Sequence, residues 1–138
     1  MKSLEQRSCF WVPSGVELDV VEHAGELFLA FRSAPSHFAG TETRLHVVSS
    51  RDADVWQHEA TFFRGTDLRE PRFLSWNGEL FLYFAVLGTD PVDFEPQGMM
   101  ASRYEGPGRW SEPRWIGEEG FIPWRTKVLG GQPYMIGY

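Results

Sequence analysis

Glu70, Arg72 and Arg125 are the residues of this chain whose types and spacing best suit chemistry on a small ligand. Acid–base cleavage of a bond needs a proton donor and a second group acting as nucleophile or base, and two carboxylates about 5–10 Å apart can supply both. Glu70 with one of Asp90, Asp93 or Glu95 supplies such a pair, and Glu70 with Asp93 is the catalytic pair expected here. Arginine offers a planar fork that makes two parallel charge-assisted bonds to an anionic group. Arg72 and Arg125 are 53 residues apart (125 − 72 = 53), and Asp19 holds the same place one interval earlier (72 − 19 = 53). The expected substrate-binding set is Arg32, His37, Arg72, Trp124 and Arg125, with Trp124 offering an aromatic face for stacking. Each has a plainer reading: Arg72 paired with Glu70, Arg32 and His37 bonded within loops, and Asp90, Asp93 and Glu95 on a solvated loop. Trp56, Trp76, Trp110 and Trp115 read as packing residues. The four histidines lack metal-ligand spacing, and no cofactor is implied.

The elements that must position these residues recur at the same interval. Gly25-Glu26-Leu27-Phe28-Leu29-Ala30-Phe31 is echoed by Gly78-Glu79-Leu80-Phe81-Leu82-Tyr83-Phe84 (78 − 25 = 53) and by Gly131-Gln132-Pro133-Tyr134-Met135-Ile136 (131 − 78 = 53). Apolar runs punctuated by Gly, Pro and Asn read as strands, and no helical stripe of useful length occurs. Strands are expected near 16–23, 26–33, 43–50 and 56–63, then 70–76, 79–86, 98–104 and 110–116, then 122–129 and 132–138. The second strand of each unit is apolar on both faces, so both faces are covered. Pro113, inside the eighth strand, marks an outer edge. Stacked four-stranded antiparallel units of this period describe a β-propeller. The fold class expected is therefore all-β, an incomplete propeller with units at 16–66, 67–119 and 120–138 in one domain. Two and a half units do not close a ring, so the chain reads as the N-terminal part of a longer protein. The alternative is a ring completed by self-association through an exposed blade face.

In an up-and-down meander, the start of strand one and the end of strand two share an edge of the sheet. Glu70, Arg72, Arg125, Lys127, Arg32, His37 and the loop 88–96 are accordingly expected on one rim. Asp52 is expected on the opposite rim as a turn residue, because Asp side chains bond nearby backbone N–H groups.

Ser50-x-Asp52-x-x-x-Trp56 resembles a degenerate Asp-box, the S-x-D-x-G-x-T-W turn of sialidase-like propellers, one residue short and without its glycine. Arg69-Glu70-Pro71 resembles the R-D-P signature of five-bladed furanosidase-type glycoside hydrolases, with Glu in place of Asp. The resemblance covers the chain from about Val16 onward. It implies an exo-acting glycosidase with sugar bound at the rim opposite the Asp-box. Phe10-Trp11-Val12-Pro13 lacks the arginine of the sialidase R-I-P motif. That departure leaves a non-catalytic carbohydrate- or protein-binding propeller as the alternative.

Bulk properties narrow the partners. A net charge of −6 lacks the basic footprint of a nucleic-acid binder. No apolar run of membrane-spanning length occurs, and no secretory h-region precedes Pro13, so a cytoplasmic location is the expectation. Cys9 is the only cysteine, which excludes an internal disulfide. A carbohydrate is the partner expected.

Overall fold

A computed structural model describes residues 17–138 of the chain. Cys9 and Phe10-Trp11-Val12-Pro13, singled out above, lie outside the described residues. Every regular element among those described is a β-strand, and every pairing is antiparallel. The first sheet runs in chain order through β1 (Leu18–His23), β2 (Glu26–Ser33), β3 (Arg44–Ser50) and β4 (Gln57–Phe63). The second joins β5 (Leu68–Trp76), β6 (Glu79–Leu87) and β7 (Pro96–Gly106) with two short strands, β8 (Arg109–Trp110) and β9 (Arg114–Ile116). A hairpin of β10 (Pro123–Leu129) and β11 (Gln132–Gly137) follows.

Turn chemistry explains the register of all three first hairpins. Ala24 and Gly25, Asn77 and Gly78, and Gly130 and Gly131 each place both turn residues at positive φ, between 51° and 79°. Two such residues form the turn whose twist matches that of antiparallel strands. The 53-residue glycines are the second residue of each turn.

One expectation on the strands needs correction. The eighth strand is not continuous through Pro113: it is split into β8 and β9, both paired to β7, with Pro113 in the gap. Proline has no N–H to offer the ladder, so pairing lapses there. The second sheet thus has five strands, not four. No closed ring of sheets occurs among the described residues.

The core lies between the two large sheets. Phe28, Ala30, Leu45, Val47 and Phe62 from the first meet Leu68, Phe73, Leu80, Leu82, Phe84, Val86 and Met100 from the second. Strict alternation puts Leu80, Leu82, Phe84 and Val86 on one face of β6, and each is essentially fully buried. A second, smaller cluster of Ala85, Leu87 and Ile122 sits on the other face. β6 is therefore apolar on both faces because it is packed on both. No helix among the described residues is long and apolar enough to cross a membrane.

Candidate functional site

β1, β5 and β10, the first strands of the three sheets, lie beside one another. Phe73 of β5 bonds to both neighbours: its N–H donates to Asp19 Oδ2 at 2.7 Å, and its carbonyl accepts from Thr126 Oγ1. Between these strands opens a cleft of about 460 Å³ lined by Asp19, Arg72 and Arg125, the three residues at 53-residue spacing, together with Trp124. The structure brings Arg72, Trp124 and Arg125 together.

Their electrostatic situations differ. Arg72 is half-buried and largely committed: it pairs with Glu70 and donates to the carbonyls of Pro71 at 2.6 Å and Trp124 at 2.5 Å. Arg125 is exposed and makes no hydrogen bond or ion pair among the described residues. Trp124 is also exposed, its ring 5.7 Å from that of Tyr138. Burial pushes the Asp19 carboxyl up from its ordinary value, against the opposing pull of the Phe73 N–H, Arg72 and Arg125. Burial outweighs two cations there because neither guanidinium touches the carboxylate in a direct pair.

Glu70 sits beside this cleft in a bulge of β5. Pairing jumps from Arg69↔Ala85 to Arg72↔Tyr83, which leaves one extra residue on β5. Glu70 takes φ of +48°, a conformation that costs a non-glycine residue, and its N–H turns to Glu17 Oε2 at 2.8 Å. Burial and the nearby Glu17 carboxylate raise its pKa, against the attraction of Arg72 and Arg69.

Arg32 lies elsewhere. It is 3% exposed and bonds through Nε and Nη2 to Asp67 Oδ1 at 3.1 and 2.8 Å, with further bonds to the carbonyls of Ser36 and Phe38. Thr43 Oγ1 donates to the same Asp67 oxygen at 2.9 Å, and Arg69 pairs with the other. This buried network ties the first sheet to the start of β5 and leaves little of Arg32 for a ligand. His37 and Asp93 share a separate cavity of about 270 Å³ with Phe38, Arg69 and Phe94. The rim grouping of His37 with the loop 88–96 is therefore observed, yet neither cavity holds both Glu70 and Asp93.

Asp52 is a turn residue, its Oδ1 accepting the N–H groups of Asp54 and Val55 at 2.9 Å each. Two features escaped the sequence reading. Asp67, fully buried, carries the Arg32 network; a buried arginine on a two-faced strand signals that a carboxylate must exist, but not which one. Trp115 is exposed rather than packed, and lines a cavity of about 550 Å³ with Gln97, Met99, Glu118 and Glu119.

The chain matches no protein-family model and no curated protein.

Proposed function

We propose that the chain forms consecutive blades of a sialidase-like β-propeller and that the cleft between its first strands binds a terminal sugar bearing an anionic group. The observation carrying this reading is the meeting of Asp19, Arg72 and Arg125 beside Trp124 in one cleft. Arg125 supplies the available guanidinium for a carboxylate. Arg72, held by Glu70 and by the Trp124 carbonyl, fixes the wall on which Arg125 and Trp124 stand. Asp19 accepts a hydroxyl, and the exposed Trp124 ring covers the apolar face of the sugar. Calorimetric titration with acidic and neutral monosaccharides tests it. Acidic sugars are expected to bind, with binding lost in Arg125→Ala and Trp124→Ala. Equal indifference to every sugar would remove the reading.

Hydrolysis is the second reading, favoured by Glu70. A carboxyl raised by burial keeps its proton at higher pH, as a general acid must, and strained backbone concentrates at such sites. Asp93 is its proposed partner, across a separate cavity. Turnover of aryl glycosides that survives Glu70→Gln unchanged would dismiss this second reading.

A further inference from the structure

The sheets stack with a direction. Residues opposite one another across a ladder share a face, so Asp19, Phe28 and Ala30 point from the first sheet toward the second. Arg72, opposite Tyr83, points from the second sheet toward the hairpin, where it bonds to Trp124. Phe73 and Leu82 point back toward the first sheet, and Thr126, which bonds to the Phe73 carbonyl, points back toward the second. Polar bonds between sheets keep this direction. His23 bonds to Ser75 Oγ at 2.8 Å, and Trp76 Nε1 donates to the Gly131 carbonyl at 2.9 Å.

Among the described residues, two sheet faces carry exposed apolar side chains and have no sheet packed on them. The hairpin's forward face carries Arg125 opposite Ile136 and Lys127 opposite Tyr134. Tyr134 and Ile136 are 53% and 64% exposed; they stand one interval beyond Phe81 and Tyr83 (81 + 53 = 134; 83 + 53 = 136). The first sheet's backward face carries the row Val20, Leu29 and Val48, of which Val20 is exposed, Leu29 half-buried and Val48 buried, with the exposed Leu18 and Glu22 beside Val20 on β1. Val20 is 55% exposed, whereas Phe73, its counterpart one interval on (20 + 53 = 73), is buried by the sheet before it. The forward face carries the cations Arg125 and Lys127, and the backward face carries both signs, the exposed Glu22 on β1 and the exposed Arg44 on β3, so apolar contact and not charge is what matches the two.

We infer that these two faces bind each other between copies of this chain, the hairpin of one packing on the first sheet of the next. The interface continues the one already seen between sheets. Two different surfaces meet, so the contact is head-to-tail, closing into a ring or extending according to the rotation per copy. The inference rests on the stacked-array reading proposed above and not on sugar binding, which can fail while association holds.

Val20→Glu spoils only the backward face and Ile136→Glu only the forward face, and the exposure of both positions lets the fold persist, checked by circular dichroism. Sedimentation equilibrium of the wild-type chain across the micromolar range is expected to show association. Each variant alone is expected to lose it and sediment as a monomer. Their mixture is expected to recover a one-to-one dimer, because Val20→Glu retains an intact hairpin and Ile136→Glu an intact first sheet. A wild-type chain monomeric throughout that range, or folded variants that fail to pair when mixed, would overturn the inference.

Discussion

The Asp19 carboxylate accepts the backbone N–H of Phe73 at 2.7 Å, joining the first strands of two sheets that are 54 residues apart in sequence. A side chain thereby takes the place of a ladder bond between strands that are not hydrogen-bonded neighbours in one sheet. Burial raises the pKa of this carboxyl, and that of Glu70.

The pH consequence follows from proton binding. Both carboxyls bind protons more tightly folded than unfolded, so stability declines as pH rises from their unfolded values, 3.8 and 4.5, through their folded ones, and is flat above. Asp19→Asn keeps an acceptor for the Phe73 N–H and removes the charge. Urea midpoints are expected to favour the variant over wild type more at neutral pH than near pH 3.8. A constant difference across that range would contradict the assignment.

His46 works in the opposite sense. Burial, then His58 and Arg44, lower its pKa, while its ring bonds to Ser33 Oγ at 2.7 Å and Thr61 Oγ1 at 3.1 Å. The unfolded chain binds this proton more tightly, so stability is full above 6.5 and is lost as pH falls through the folded value. His46→Gln is expected to flatten the thermal midpoint over that interval.

Asp67 should be the most costly polar residue to alter. Asp67→Asn leaves Arg32 buried without its counter-charge, and breaking such a pair costs about 3–5 kcal/mol. Thr43→Val removes a single bond to the same oxygen, a loss of about 1 kcal/mol. Chemical denaturation should rank them in that order.

Ala24 takes φ of 51° at the turn position where the second hairpin has Asn77 and the third Gly130. An alanine side chain resists this conformation, whereas asparagine tolerates it. Ala24→Asn is expected to raise stability by roughly 0.5–1 kcal/mol without altering the spectrum of the folded protein.

The strands were legible in the residues because period-two apolarity and turn glycines act locally. The sequence predicts ten strands at nearly their observed limits, and the departure at Pro113 follows from its missing N–H, which interrupts pairing between β8 and β9. Arg72 and Arg125, spaced alike with Asp19 in the sequence, line one cleft because β5 lies between β1 and β10. That Arg72 is spent on Glu70 and on the Trp124 carbonyl, while Arg125 stays exposed, was not legible in the sequence.

Amino-acid order by itself determined the antiparallel strands and the turns of their hairpins, for these arise from neighbours along the chain or across one hairpin. Only the tertiary structure decided that Arg32 belongs to Asp67, that Arg72 is held by Glu70 and the Trp124 carbonyl, and that Trp115 is exposed. Those outcomes depend on which distant side chains meet when sheets pack, because burial and pairing, not residue type, set what a charged group is free to do.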